Sequence, residues 1–482
     1  TNLQIYAIDS DPENVKIARR RLDSAGLYGV RVTVHVGDPR KTDYPDYFAD
    51  LVVSGRSITD GGSILSEEET LRLQRPCGGV RCLGKPGDMM QTVRPPLSGA
   101  GKWTHQYCDP GNTACSRDQR VKAPLKMLWF RDADQNMPQR HGRGHAPLYF
   151  NGRIFVEGLD TLRAVDAYNG RTQWEVPFPN IQDPYDQEHL MGTSGTHSNF
   201  CIDENSVFVH TKDRCVRLDA VTGETLRTYP TPRNPDGSRG TWGYIACAND
   251  TLYGSLADTT HIVTWCYREG HMDQLFTESR AVFALDVETG EQKWFYPAST
   301  SIRHNSIAIG DGKLFFIDRP KADFDRLERA KRRGETEVQP LGQLVVLDAA
   351  SGEVLWTLDE DIYGTLLIYS EKHDVLLMCY QDTRFKLPSE VGGRMTLLRP
   401  SDGKILWELD DLPYQSRPVI NDRTIYFQPH AIDLLTGEKL DYELTRSYGC
   451  GILSGSPNLL LFRSATLGYR NLLTGGETEN YG

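Results

Sequence analysis

The chain has 482 residues, a formal net charge of −11 at pH 7 and 25% charged residues, a balance typical of globular proteins rather than disordered ones. The excess of acidic groups excludes the basic surface by which proteins usually bind nucleic acid. No apolar run approaches the ~20 residues that cross a bilayer, so the sequence predicts no transmembrane segment.

The charge and the sequence pattern both change near residue 99. Residues 1–99 carry 13 basic and 13 acidic side chains, so the net charge belongs wholly to the remainder. Before this point strands alternate with helices, whereas after it short strands alternate with turns rich in Gly, Asp and Asn. The sequence therefore predicts a domain over 1–94, a linker over 95–102, and a second domain over 103–482.

The first domain is predicted to be α/β. Strands over 3–8, 30–36 and 50–54 alternate with two helices, which Asp11 and Ser66 are expected to cap. This order favours a parallel sheet. Asp9 follows the first strand, the position at which nucleotide-binding folds hold a ribose.

The stretch from IYAIDSDPENV at 5–15 through VGDP at 36–39 to Val80 resembles the core of class I S-adenosylmethionine-dependent methyltransferases. The resemblance implies a Rossmann-like fold that binds S-adenosylmethionine, with Asp9 on the ribose and Asp38 near the adenine. The glycine-rich first strand of that family would precede residue 1, so residues 1–94 are expected to form a partial Rossmann-like domain.

One short unit recurs seven times in the second domain. An apolar strand ends in Asp, and a turn ends in Gly. A Trp often follows four residues later, and we expect it to lie on the outer strand and pack against the next unit. The Asp accepts hydrogen bonds from turn amides, and the Gly supplies the positive φ of a hairpin. The turn glycines are Gly170, Gly223, Gly290, Gly352, Gly403, Gly437 and Gly475. A second hairpin ahead of this turn makes four antiparallel strands, which is typical of a propeller blade.

This repeat resembles the pyrroloquinoline-quinone-binding-like β-propeller family, which includes quinoprotein dehydrogenases and a scaffold of outer-membrane protein assembly. The expected fold is mainly β: a seven- to eight-bladed propeller of four-stranded antiparallel blades, preceded by the partial α/β domain. Residues 125–129 look like the outer strand of an eighth blade, so the ring is expected to be incomplete at the C-terminal end. The resemblance implies pyrroloquinoline quinone with calcium as the cofactor.

The repeat phase predicts a ligand site on the propeller axis. Three histidines stand six positions before an inner hairpin turn, and other blades place aromatic or basic residues near the same phase. We expect these side chains to converge at one mouth of the channel and bind an anionic or aromatic ligand, or a metal. The residues are His145, His197, Trp242, His304, Arg417 and Tyr448. The alternative is that they are polar residues at the starts of the strands and simply line a water-filled channel.

The ten cysteines contain no Cys-x-x-Cys pair, which argues against a zinc ribbon and a covalent c-type haem. Cys108 and Cys115 flank a turn, and Cys201 and Cys215 flank a hairpin, so each pair is a candidate local disulfide. Disulfides would suit a periplasmic or other extracytoplasmic location, with any signal peptide outside this sequence.

Three functions follow from these patterns. The first is an extracytoplasmic quinoprotein-like propeller that binds a small ligand or redox cofactor on its axis, including a dehydrogenase. The second is a non-enzymatic scaffold that binds other proteins. The third is an S-adenosylmethionine-dependent methyltransferase fused to a propeller.

Overall fold

The computed structural model describes residues 3–62, 65–132, 134–137, 144–182, 197–260, 277–320, 341–380, 392–414, 416–445, 451–463, 467–475 and 478–481. The chain forms two compact units. The first unit contains residues 1–98, 126–131 and 166–171, and the second contains 99–125, 132–165 and 172–482. In the described ranges, no helix has both the length and the apolar character of a membrane span.

The first unit is α/β. Its elements are β1 (Ile5–Asp9), α1 (Pro12–Ser24), β2 (Val32–Val36), β3 (Leu51–Val53), α2 (Gly55–Asp60), α3 (Glu67–Leu73), β4 (Val80–Lys85) and β5 (Asp88–Val93). Strand β1 pairs parallel to β2, and β3 pairs parallel to β4, as the alternating pattern predicts. Strand β5 is antiparallel to β4, because the two-residue turn at Pro86 and Gly87 permits only a hairpin.

The helix starts follow the predicted capping. The Asp11 side chain accepts the amide of Glu13 at 2.9 Å, and the Ser66 hydroxyl oxygen accepts the amide of Glu69 at 3.0 Å. The Glu69 carboxylate departs from a full capping box: it accepts the Thr42 amide and an Arg72 nitrogen, each at 2.8 Å. The Arg72 guanidinium holds the pKa of Glu69 down at about 2.

The described part of the second unit contains seven successive antiparallel blades, which confirms the mainly β, propeller-type fold. Blade 1 contains β6 (Leu148–Phe150), β7 (Arg153–Glu157), β8 (Thr161–Asp166) and β9 (Thr172–Pro177). Blade 2 contains β10 (Phe200–Ile202), β11 (Ser206–His210), β12 (Arg214–Asp219) and β13 (Thr225–Pro230). Blades 3 and 4 contain β14 (Trp242–Ala248), β15 (Thr251–Ala257), β16 (Glu278–Asp286), β17 (Gln292–Gly310), β18 (Lys313–Asp318), β19 (Gly342–Asp348) and β20 (Val354–Ile362). The long strand β17 closes blade 3 and opens blade 4.

The last three blades follow the same order along the chain. They contain β21 (Leu366–Ser370), β22 (Val375–Cys379), β23 (Met395–Leu398), β24 (Ile405–Leu409); β25 (Val419–Asn421), β26 (Thr424–Tyr426), β27 (Ala431–Asp433); and β28 (Ser454–Gly455), β29 (Leu459–Arg463), β30 (Leu467–Asn471), β31 (Thr478–Tyr481). Each blade runs from an inner strand to an outer strand in sequence order.

A tryptophan on the outer strand joins each of several blades to the next. Trp174 Nε1 donates to the Ala220 carbonyl at 3.1 Å, in the turn that Asp219 and Gly223 form. Trp294, Trp356 and Trp407 repeat this bond on Ala349, Pro400 and Leu434. Between blades 2 and 3 the Tyr229 hydroxyl takes the same role and donates to Val287 at 2.6 Å. The structure thus confirms that the repeat residue packs on the following unit.

Gly352 provides a test of this packing. Its φ is +73°, and an ideal Cβ there would lie 2.5 Å from Trp294 Cγ. Gly352→Ala is expected to cost about 2–4 kcal/mol of unfolding free energy, from the left-handed backbone and from overpacking against the indole. Gly312→Ala is the matched control, because φ is +69° but a Cβ would meet nothing within 4 Å. Equal losses in urea unfolding would contradict a role for the tryptophan.

Two predictions on local structure are wrong. Residues 125–129 do not form a strand, although Trp129 Nε1 donates to the Ala167 carbonyl at 2.9 Å as its counterparts do. The eighth blade therefore stays a prediction. Cys108, Cys115, Cys201 and Cys215 are free thiols. Strand β11 separates Cys201 from Cys215, and two strand spacings of ~4.8 Å exceed the reach of a disulfide.

Candidate functional site

A central segment, residues 103–116, contacts the inner strand of every blade in chain order. Trp103 exchanges backbone hydrogen bonds with Tyr149 of blade 1, and the Thr104 carbonyl accepts the amide of Ile202 in blade 2. His105 Nε2 accepts the amide of Cys247 in blade 3 at 3.2 Å. The carbonyls of Pro110, Gly111, Thr113 and Ala114 then accept amides of Ile309, Tyr369, Ile420 and Gly455 in blades 4 to 7.

The seven inner-strand residues that make these bonds hold the same place in the repeat. Each pairs across its inner hairpin with the second strand of the blade, as Ile202 does with Val207 and Ile309 with Leu314. Because equal repeat positions converge, a single extended segment can reach all of them. The central segment therefore lies where the inner strands meet.

Asn112 joins the central segment to four blades. Its Nδ2 donates to the carbonyls of Ile307 at 2.7 Å and Leu367 at 3.2 Å. Its Oδ1 lies 3.2 Å from His197 Nε2, and its carbonyl accepts Arg417 Nη2 at 3.3 Å. Asn112 is 1% exposed and has φ of 68°, a left-handed conformation that asparagine tolerates well.

Two of the predicted site residues pack on the ring of Tyr107. The Arg417 guanidinium lies 3.5 Å from the ring centroid, and the His197 imidazole meets the same ring edge-on at 5.0 Å. All three residues are buried. A cation over a desolvated aromatic face is stabilised by the ring quadrupole, so the chain itself supplies the aromatic surface that a ligand was predicted to supply.

The other histidines have protein partners as well. His145 Nδ1 lies 3.3 Å from Glu157 Oε1, and both side chains are buried. His304 Nε2 lies 2.7 Å from the Ser279 hydroxyl oxygen. Trp242 donates its Nε1 to the Tyr244 carbonyl at 2.9 Å.

His210, which the sequence analysis did not select, joins this group. Its imidazole stacks on Trp242, with ring centroids 6.0 Å apart. It is 3% exposed, and the backbone of Gly243 lies against its ring, but neither ring nitrogen has a partner in good hydrogen-bond geometry among the described residues. Burial, with smaller contributions from His145 and His304, lowers the pKa of His210 to about 3.

The pKa shifts of the predicted residues also indicate that these residues lie close together. Burial, followed by the positive charges possible on Arg417 and His304, lowers the pKa of His197 well below its usual value. Burial lowers the pKa of Arg417 too. Five of the predicted residues thus lie in one buried region, in or just before the inner strands: His145, His197, Trp242, His304 and Arg417. Tyr448 lies outside the described residues, and ligand binding by this set stays a prediction.

In the first unit, Asp9 and Asp38 make local contacts. Asp9 Oδ1 accepts the amide of Asp11 at 2.7 Å, at the entry to α1. Asp38 pairs with Arg40, with Arg40 Nε 3.0 Å from Oδ1. Hydrogen bonds from Arg40 lower the pKa of Asp38. Contacts of this kind shape turns, and a cofactor role for either residue stays a prediction.

A calcium site of the kind that the quinone resemblance implies would need a group of buried oxygen ligands. Calcium takes six to eight oxygen ligands. In the part of the chain that the structure describes, the one group of three or more metal-ligating side chains contains a histidine and two cysteines. Gln182 and Asn199 both donate to Glu157 Oε1, and the buried Glu157 Oε2, Gln182 Oε1 and Asn199 Oδ1 have no hydrogen-bond partner among the described residues. These three oxygens are fewer than calcium takes. The quinone with calcium therefore stays an implication of the resemblance.

The role of the central segment could not be predicted from the sequence, because its residues do not indicate which blade each of them contacts. Asn112, Tyr107 and His105 lie in a single loop, and His197 and Arg417, which contact Asn112, are 85 and 305 residues away from it along the chain. An alignment of the inner hairpins would have shown one useful pattern. Cys201 and Cys247 both precede an inner hairpin turn, and residues at equal repeat positions lie close together.

The comparisons with known proteins begin with a family match. The family model described as outer membrane protein assembly factor BamB matches residues 119–321 and 257–427, together more than half of the chain. No curated protein matches the chain. The matched region begins at residue 119, so it lends no support to the methyltransferase-like interpretation of residues 1–94.

Several solved structures are similar at low identity. A europium-containing methanol dehydrogenase has 13% identity and a TM-score of 0.44, over 77% of this chain and 89% of that chain. BamB from Moraxella catarrhalis has 16% identity and a TM-score of 0.36, over 71% and 82%. Quinohemoprotein alcohol dehydrogenase from Comamonas testosteroni has 15% identity and a TM-score of 0.43, over 77% and 58%. At these scores the structures assign no activity. The family match over more than half of its length shows that this chain belongs to the PQQ-like repeat family described as outer membrane protein assembly factor BamB.

Proposed function

We propose that this protein is a non-enzymatic, extracytoplasmic propeller that binds unfolded polypeptides during outer-membrane protein assembly. The observation that carries the proposal is the central segment. Its side chains occupy the region where the predicted ligand residues converge, and Asn112 and Tyr107 bond or pack against His197 and Arg417. The family description supports the same process.

The outer strands of blades 4 and 5 offer a surface for such a polypeptide. Strands β20 and β24 are the last strands of their sheets. Each begins with two apolar side chains that are 43–49% exposed: Val354 and Leu355, then Ile405 and Leu406. Trp356, next to Leu355, donates to the Pro400 carbonyl in the blade 5 turn, so the two apolar pairs lie on neighbouring blades.

An edge strand with exposed apolar residues suits strand addition. A sheet edge presents free backbone amides and carbonyls, and an extended peptide can pair with them. Alternate side chains of that peptide would then pack on Leu355 and Leu406. Unfolded outer-membrane proteins are rich in alternating apolar residues, which is the pattern that such an edge would select.

The test measures binding of an unfolded outer-membrane protein, diluted from urea, by fluorescence anisotropy with the 482-residue chain. Leu355→Glu with Leu406→Glu is expected to weaken binding at least tenfold, a loss of about 1.4 kcal/mol. Leu226→Glu is the matched control, since Leu226 holds the same repeat position in β13 and is 49% exposed. Unchanged binding by the double variant would refute the proposed surface.

One observation favours a second candidate, an anionic small ligand on the axis. Both nitrogens of the buried His210 lack a partner in good hydrogen-bond geometry among the described residues, and buried polar groups are normally satisfied. Titration with pyrroloquinoline quinone and calcium, followed by tryptophan fluorescence, separates the candidates. Stoichiometric binding that His210→Phe abolishes would favour the ligand, and no binding would favour the polypeptide function.

A further inference from the structure

Three buried side chains with nitrogen and sulfur ligand atoms meet beside the central segment. The ligand atoms of His105, Cys201 and Cys247 all lie within 4.8 Å of one another. His105 belongs to the central segment, Cys201 to β10 of blade 2, and Cys247 to β14 of blade 3. All three residues are buried, with exposures of 3%, 0% and 6%.

The hydrogen bonds of His105 fix its tautomer. Its Nδ1 lies 2.8 Å from the Thr104 hydroxyl oxygen, which in turn lies 3.3 Å from the Cys108 carbonyl. The hydroxyl donates to that carbonyl, so it accepts the proton on Nδ1. Nε2 is then unprotonated, as its acceptance of the Cys247 amide requires. The Nε2 lone pair therefore points toward Cys247, and a metal ion bound to Nε2 would replace the hydrogen bond from the Cys247 amide.

A tyrosine beside the thiols provides a second, independent observation. The Tyr244 hydroxyl is buried, and it has no hydrogen-bond partner among the described residues. Burial raises the pKa of Tyr244, and its proximity to Cys201 and Cys247 raises it further. An unsatisfied buried hydroxyl costs about 1–3 kcal/mol. A thiolate would accept its proton in a hydrogen bond, whereas a thiol is a weak acceptor.

We propose that His105, Cys201 and Cys247 bind one thiophilic d10 metal ion, Zn(II) or Cu(I). Two sulfurs and an imidazole nitrogen are the donors that these ions prefer. Both thiols release their protons to solvent when the ion binds, and nothing is oxidised. Thr104 orients the imidazole as outer-shell partners commonly do. The ion would join the central segment to blades 2 and 3, a role outside the proposed polypeptide binding.

The test titrates the reduced, metal-free 482-residue chain with Zn(II) and, in a separate anaerobic series, with Cu(I). Chelator competition gives stoichiometry and affinity, and alkylation followed by mass spectrometry identifies protected cysteines. We expect one ion per chain and protection of Cys201 and Cys247. Cys201→Ser and Cys247→Ser should each weaken binding at least tenfold. Cys215→Ser is the matched control, because Cys215 is buried in the same core but lies outside the cluster.

Three outcomes would overturn the proposal. They are binding that both serine variants retain, alkylation of Cys201 and Cys247 that neither metal slows, and a Cys201–Cys247 disulfide in the purified chain. Metal-dependent protection of these two cysteines in the parent chain decides the question even if a serine variant does not fold. The tighter-binding ion in the two series identifies the metal.

Discussion

Replacing Arg303 by methionine is expected to lower the free energy of unfolding by about 3–5 kcal/mol. Arg303 Nε donates to Glu278 Oε1 at 2.8 Å, and each side chain is only 3% exposed. The two residues face each other across β16 and β17. Removing the guanidinium takes away the positive charge beside Glu278 Oε1 while the carboxylate stays buried, and the Ser301 hydroxyl at 3.0 Å from Oε2 is a neutral donor.

Two further variants make this prediction specific. Glu278→Met combined with Arg303→Met should recover most of the loss, because an apolar pair leaves no buried charge. Arg117→Met removes an ion pair of the same 2.8 Å length, with Glu371, but at side-chain exposures of 78% and 67%. It should cost less than about 1 kcal/mol. Urea unfolding measures all three, and similar losses for Arg117→Met and Arg303→Met would contradict the role of burial.

Acid is expected to destabilise the protein through its buried histidines. The pKa of His210 is about 3 and that of His197 lies well below its usual value, in both cases chiefly because of burial. In the unfolded chain each would have a pKa of about 6.5. Below that pH the unfolded state binds protons that the folded state does not, so stability is full above pH 6.5 and falls as the pH decreases toward 3. His210 removes about 1.4 kcal/mol per pH unit, or about 2 kcal/mol by pH 5, and His197 acts in the same direction.

His210→Phe isolates one of these contributions. Phenylalanine keeps an aromatic ring against Trp242 but cannot bind a proton. The slope of unfolding free energy against pH between 6 and 4 should therefore become shallower by about 1.4 kcal/mol per pH unit. Urea unfolding at pH 7, 6, 5 and 4 measures the slope, and parallel curves for the variant and the parent would show that His210 is not neutral in the folded state.

Helix starts and hairpin turns were predictable because their chemistry is local. Asp11 and Ser66 cap helices through amides two and three residues away. Asp219 accepts the Thr222 amide at 2.7 Å, and Gly223 takes its positive φ in the same turn. All the donor and acceptor atoms of these turns and caps belong to residues that are close together in the sequence. Seven repeats of this turn were enough to predict the propeller.

Predictions that depend on distant partners were less successful. A disulfide between Cys201 and Cys215 looked reasonable along the chain, but β11 lies between them, and Cys201 instead meets Cys247 of the next blade. The repeat position did predict that His197 and Arg417 lie close together, because equal positions in successive blades converge. It could not show that Tyr107 and Asn112 already occupy the space between them.

The sequence by itself determined the mainly β architecture, the change of pattern near residue 99 and the tryptophan contacts between blades, because short repeated motifs carry their own turn and packing chemistry. Only the tertiary structure decided how residues 103–116 are used. Their partners are spread over 306 residues, from Tyr149 to Gly455. Since no local pattern encodes such contacts, convergence of the inner strands is what brings Asn112 to four blades and His105 to two cysteines.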